Sequence, residues 1–111
     1  MIFQLGGALI DGCVLAALSK EDAYGYALTQ RVRSAMDVSE STLYPVLRRM
    51  QKEGYLTAYD QNYQGRNRRY YSMTSTGWDR YRQIAREWIE YRARVEEILL
   101  EGTYDDQTSL S

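Results

Sequence analysis

A chain of 111 residues is sized for one domain, and folded alone it buries only about two-thirds of the surface its unfolded form exposes. With no histidine and one cysteine, Cys13, it excludes most zinc sites, every Cys/His or Ser/His/Asp catalytic arrangement and any intramolecular disulfide, so no metal, cofactor or enzymatic role is expected. A formal charge of −1 argues, at face value, against a nucleic-acid partner.

The chain opens on a helix expected over residues 4–18, apolar on nearly every side. Leu5, Leu9, Cys13 and Ala16 line one face, and Ile10, Val14 and Ala17 the adjacent one. A helix apolar that far round is buried twice, by its own domain and by a second subunit. Cys13 in this run reads as a buried structural thiol. The stretch is too short to span a membrane, is interrupted by Asp11, and has neither a basic start nor a cleavage site. A cytoplasmic protein without a membrane partner is expected. Asp22 is the expected N-cap of a second helix over 23–35, whose stripe is Tyr24, Leu28 and Val32. After a short polar connection at 37–40, Ser39 or Ser41 caps a third helix that runs to Glu53 and stops at Gly54, with Pro45 near its first turn. Two tyrosine- and threonine-rich strands follow at 55–63 and 68–74, joined by a turn over 64–67. Leu56 and Ala58 share one face of the first, Tyr71 and Met73 one face of the second. Thr74 or Ser75 caps a long last helix over 76–101, and residues 102–111 read as a disordered tail.

This order predicts a mostly α chain with a small β-hairpin: a winged helix-turn-helix with a long C-terminal dimerisation helix. The DNA-binding domain is expected over 1–75, its first helix shared with the dimer interface, and the dimerisation helix over 76–101. Local charge fits that layout. Residues 1–40 balance to −2, residues 41–72 to +4 and residues 73–111 to −3. In the middle third Arg48, Arg49, Lys52, Arg66, Arg68 and Arg69 face only Glu53 and Asp60. On the third helix Leu43, Val46, Leu47 and Met50 form the apolar side. Ser41, Pro45, Arg48 and Lys52 lie opposite, with Tyr44 and Arg49 on the flanks and Thr42 near the start. Small hydroxyls at a helix N-terminus with cations behind them suit insertion into a major groove, N-terminus first. Arg66, Arg68 and Arg69 crowd the hairpin tip beside Gly65, where DNA phosphate or the minor groove would relieve their repulsion.

Four stretches then carry a specific resemblance: Tyr24-Gly25-Tyr26-Ala27-Leu28, Ser41-Thr42-Leu43-Tyr44-Pro45-Val46-Leu47-Arg48-Arg49-Met50, Glu53-Gly54-Tyr55-Leu56, and the run from Gly65 to Gly77. In this order, and spanning about residues 1–101, they resemble the phenolic-acid-decarboxylase regulator (PadR) family. The resemblance implies a dimeric transcription factor, usually a repressor, acting on double-stranded operator DNA. It also implies that Tyr26, Ser41, Thr42, Tyr44 and Arg48, with Gly65, Arg66 and Arg68 at the tip, lie at or near DNA. Tyr24 stands where the family often has histidine.

On the last helix Trp78, Tyr81, Ala85, Trp88, Arg92, Val95 and Leu99 recur at three- and four-residue steps, with Ile84, Tyr91 and Ile98 in a second row. A stripe this wide predicts a homodimer, with Leu5 and Leu9 contributing from the first helix. The aromatic residues, Trp88 and Tyr91 foremost, could line a pocket for a small aromatic effector. As interface core they need no ligand. The alternative function is a winged-helix module that binds protein through the same hairpin and long helix.

Overall fold

A computed structural model describes residues 7–104, so Leu5 and the part of the expected tail from 105 onward lie outside the described residues. Helix α1 (Gly7–Ala17) buries Asp11, Gly12, Val14 and Leu15. The chain then enters strand β1 (Ala23–Tyr24) before helix α2 (Gly25–Arg33). This differs from the sequence expectation. Tyr24 is extended, with φ −65° and ψ 138°, and is the N-cap residue without a side-chain cap, while Asp22 accepts a hydrogen bond from the Tyr59 hydroxyl at 2.7 Å. Antiparallel pairing of Ala23 and Tyr24 with Tyr71 and Tyr70 prevails over helix propensity. Leu28 and Val32 keep the places on the buried stripe that their spacing indicates.

Helix α3 (Glu40–Lys52) is capped by Ser39, whose hydroxyl accepts from the Thr42 amide at 3.2 Å. It ends as Gly54 predicts. Gly54 takes φ +87°, its amide donates to the Gln51 carbonyl, and the Tyr55 amide donates to that of Met50, which closes the helix end with two reversed hydrogen bonds. The α2–α3 turn is stapled by Glu40, whose Oε1 accepts from Gln30 at 2.8 Å and Arg33 at 3.5 Å.

Strands β2 (Leu56–Tyr63) and β3 (Arg66–Met73) pair antiparallel, and β1 adds on the far side of β3 to give the order β1-β3-β2. Leu56 sits opposite Met73 and Ala58 opposite Tyr71, so the expected inner faces meet and close over the helices. The turn is tighter than the sequence indicates. Only Gln64 and Gly65 remain outside the ladder, both at positive φ (51° and 79°), the geometry that matches the twist of a two-residue hairpin.

Helix α4 (Ser75–Leu99) is capped by Thr74, whose hydroxyl accepts from the Gly77 amide at 2.9 Å. A last helical turn, α5 (Glu101–Tyr104), occupies the start of the segment read as a tail. Leu15, Leu28, Leu43, Leu47, Met50 and Leu56 make the centre of the core, with Tyr71 sealing it from the sheet and Ile84 from α4. The radius of gyration, 17.3 Å, exceeds the roughly 13 Å of a compact chain this long. The excess comes from α4, which projects beyond the domain and stretches the molecule to 60 × 28 × 24 Å.

Candidate nucleic-acid interface

Helix α3 turns its apolar stripe inward through Leu43, Leu47 and Met50 and leaves Ser41, Thr42, Pro45, Arg48 and Lys52 exposed. The Ser39 hydroxyl lies 2.9 Å from that of Ser41 and 3.1 Å from that of Thr42, so the helix opens on a cluster of three hydroxyls. Among the described residues no carboxylate lies within ion-pair distance of Arg48, Lys52 or Arg66. Tyr44 is half-buried and packs against the core, while the Tyr26 ring at the start of α2 is 52% exposed. Tyr26 is therefore available to a partner, although its apolar ring alone could equally have been a core residue.

Two arginines differ from the reading that the sequence supports. Arg49 is exposed like Arg48, but both arms of its guanidinium are engaged. Its Nη2 donates to Asp11 on α1 and its Nη1 to Glu53, both at 2.6 Å. These partners, Asp11 first, push the guanidinium's pKa further up and neutralise its charge. Arg68 lies between two aromatic rings, its Cζ 4.2 Å from the centroid of Tyr24 and 4.0 Å from that of Tyr63. A cation held between two rings braces the wing against the body of the domain, each ring contributing about 0.5–1 kcal/mol. Arg69 is only loosely paired, 3.8 Å from Asp60, which leaves Arg66 as the unpaired cation of the tip beside Gly65.

The outward face of the sheet carries a feature the sequence reading missed. Tyr24, Tyr70 and Tyr59 are in register across β1, β3 and β2, with ring centroids 6.0 and 5.7 Å apart. The signal was the alternation Tyr59, Gln61, Tyr63 on one strand and Arg68, Tyr70 on the next; placing Tyr24 in a helix hid its third member. The Asp22 carboxylate holds the Tyr59 phenol above its ordinary pKa by accepting its proton in a hydrogen bond.

The expected dimer residues divide into two groups. Ile84 is 3% exposed and packs on Gly12 of α1, so it belongs to the subunit's own core rather than to an interface. Leu9, Tyr81, Trp88 and Tyr91 are half-buried against that core, and Trp78 meets Tyr81 edge to face at 5.8 Å. Further along, Val95, Ile98 and Leu99 are exposed by 38, 77 and 70%, and so is Ile89, which lies outside the expected set, by 57%. Trp88 and Tyr91 are neighbours, their centroids 6.4 Å apart. A shallow cleft of about 170 Å³ lies between α1 and α2, lined by Cys13, Ala16, Ala17, Arg31, Val32 and Ala35. Burial pushes the Cys13 thiol up, which makes it a poor nucleophile. No cluster of metal-ligating side chains occurs among the described residues, and none of their helices is long and apolar enough to cross a membrane.

A helix-turn-helix with a hairpin wing and a long trailing helix is therefore in place. A family model described as the transcriptional regulator PadR-like family matches residues 14–83, well over half of the chain. The chain belongs to the PadR-like family of transcriptional regulators. It is 37% identical to smu.1704 of Streptococcus mutans UA159, whose solved structure superposes with a TM-score of 0.80 over 89% of this chain and 93% of that one. A PadR-like transcriptional regulator (BC4206) of Bacillus cereus strain ATCC 14579 is 33% identical, with a TM-score of 0.76 over 86% of this chain and 94% of that chain. The Bacillus subtilis PadR, solved in complex with operator DNA, aligns with a TM-score of 0.62 over 68% of this chain and 45% of that chain. At 20% identity that last likeness is one of fold. The winged-helix class expected from the order of elements is thus the class of the PadR-like regulators.

Proposed function

We propose that this PadR-like protein is a homodimeric, sequence-specific DNA-binding repressor that reads a near-palindromic operator. The observation that carries this reading is that Arg48, Lys52 and Arg66 stand exposed without a carboxylate partner among the described residues, the first two on the helix that opens on the hydroxyls of Ser41 and Thr42. Such a surface matches a phosphate backbone in charge. The operator complex of the Bacillus subtilis protein of the same fold supports this use of the domain. Ser41, Thr42 and Arg48 reach base edges, with Tyr26, Tyr44 and Lys52 at the rim of the groove. Arg66 beside Gly65 grips phosphate, and Arg68 acts by stiffening the wing. Two copies of α3 related by a two-fold axis would address half-sites about 10 bp apart.

Salt dependence tests the reading against that of a protein-binding module. Affinity for operator DNA should fall steeply as salt rises. Arg66→Ala should weaken all duplexes about equally and flatten the log–log slope by roughly one for each phosphate that Arg66 neutralises. Fluorescence anisotropy across a salt series measures both. Binding indifferent to salt would refute the reading.

Trp88 and Tyr91 are read first as packing groups of α4. A planar aromatic effector entering between the subunits should quench tryptophan emission. A flat response across a panel of planar aromatic compounds would remove the effector from the proposal.

A further inference from the structure

Asp11 is the one acid in an otherwise apolar helix, and it is 5% exposed. Carboxylates are rarely that deep without a partner, and the partner here comes from 38 residues away on α3: the Arg49 guanidinium at 2.6 Å. The next residue of α1 meets a different element. Gly12 packs so closely under α4 that a Cβ there would stand 2.6 Å from Ile84 Cγ2. Two consecutive residues of α1 thus hold the two working helices of the protein, Asp11 the reading helix and Gly12 the helix that carries the exposed apolar stripe. Otherwise α1 packs mainly on α4 and α2, and α3 on β2 and α2.

The consequence for α3 is rotational. Its apolar stripe, Leu43, Leu47 and Met50 with Tyr44 and Val46 half-buried beside it, seats the helix on the core, and the Asp11–Arg49 pair adds one polar fixed point outside that stripe. Arg49 is one residue, about 100°, around from Arg48. Fixing Arg49 to α1 therefore fixes the direction in which Arg48 and the hydroxyls of Ser41 and Thr42 point. Glu53 takes the other arm of the same guanidinium at 2.6 Å, so the fork is held at both ends. The joint of Thr74 and Tyr55 anchors the chain beyond the C-terminal end of α3 but does not set this angle.

Taking the protein as the dimeric DNA reader proposed above, we infer that Asp11 is a positioning residue. Through Arg49 it sets the rotation of α3, and through the adjoining Gly12 contact it ties that rotation to the placement of α4. The Asp11–Gly12 step thus seats the reading helix and α4 on one element, α1. This role also accounts for an arginine on the reading helix whose guanidinium pairs at 2.6 Å with a buried carboxylate.

The test uses the full chain, with a duplex that the unaltered protein selects from a random-sequence library and a scrambled duplex of the same composition. Asp11→Asn should lower the ratio of selected to scrambled affinity about tenfold, with scrambled binding unchanged or tighter because a carboxylate has gone. Dimer dissociation, read by sedimentation, should stay within about twofold for Asp11→Asn. In an Arg49→Gln background Asp11→Asn should add nothing further, since the two act as one unit. Should Asp11→Asn fail to fold, Asp11→Leu with Arg49→Met replaces the pair by apolar groups that pack, and the same loss of discrimination is expected at an undiminished melting temperature. An unchanged ratio, or additive effects of the two single substitutions, would overturn the inference while leaving the DNA-binding reading intact. An unaltered protein that enriches no sequence at all would overturn that reading and this inference with it.

Discussion

Replacing Ile98 and Leu99 by aspartate together should dissociate the proposed homodimer into folded monomers and cost about a hundredfold or more in affinity for a two-half-site operator. The fold is expected to survive, because the two side chains are 77 and 70% exposed and contribute little to the subunit's own core. Their contribution arises on association. Burying a side chain of this size is worth about 1.5–3 kcal/mol, and a two-fold axis counts each of them twice. A carboxylate in the same place would have to be desolvated without a partner and is excluded from such an interface. The DNA effect follows from valency: a dimer holds its second reading helix at high effective concentration once the first is seated, whereas a monomer does not. Light scattering gives the oligomeric state and circular dichroism the fold. A double variant that remains dimeric would place the interface elsewhere, and one that is monomeric but binds the operator undiminished would detach DNA reading from dimerisation.

The same stripe shows where sequence periodicity stops being informative. Its three- and four-residue steps located an apolar face on α4, but a stripe carries no label saying which part is consumed within the subunit. Packing decides. Ile84 faces Gly12, where the absence of a side chain lets a bulky residue sit flush on α1, so the proximal half of α4 closes the core. Tyr91 is still half-buried against that core, whereas Val95, Ile98 and Leu99 beyond it lie exposed.

The charges behave likewise. A balance of +4 over residues 41–72 marked the region that contains Arg48, Lys52 and Arg66, because α3 and the wing are contiguous in sequence. Within it, only pairing in space separates the exposed cations Arg48, Lys52 and Arg66 from Arg49 and Arg68, which hold structure. The partners of Arg49 and Arg68 include Asp11 and Tyr24, both far away along the chain. The Asp11 signal was nonetheless present: a single acid inside an apolar run is itself the mark of a buried pair. The cap at Ser39, the stop at Gly54 and the inward pairs of the hairpin were legible because each depends on local pattern and turn chemistry. The strand at Ala23–Tyr24 was not, since a two-residue strand exists only by pairing with β3, nearly fifty residues later.

Gly77→Ala should destabilise the domain by about 2–4 kcal/mol, against the direction that helix propensity alone predicts. In an exposed helix interior alanine is favoured over glycine by roughly 1 kcal/mol. Gly77, however, is buried in the first turn of α4, where a Cβ would be driven into the backbone carbonyl of Tyr55 and would stand 2.8 Å from Met73 Cγ. A carbonyl cannot step aside as a side-chain tip can, and this one is in use, accepting from the Thr74 amide at 3.1 Å. The Thr74 hydroxyl meanwhile donates to the Gly54 carbonyl at 2.6 Å while capping α4, so the start of α4 and the chain leaving α3 are bolted together at one point. Relief requires the helix to back away from Tyr55, which breaks that joint and moves α4 relative to α3. Gly54→Ala is the informative control. Its φ of +87° makes alanine strained, yet nothing lies within 4 Å of the added carbon, so its cost should stay near ~1 kcal/mol. Urea unfolding of both variants at one protein concentration separates steric from conformational cost. Equal losses would mean that α4 can shift freely at its start, and then operator affinity should be insensitive to Gly77→Ala as well.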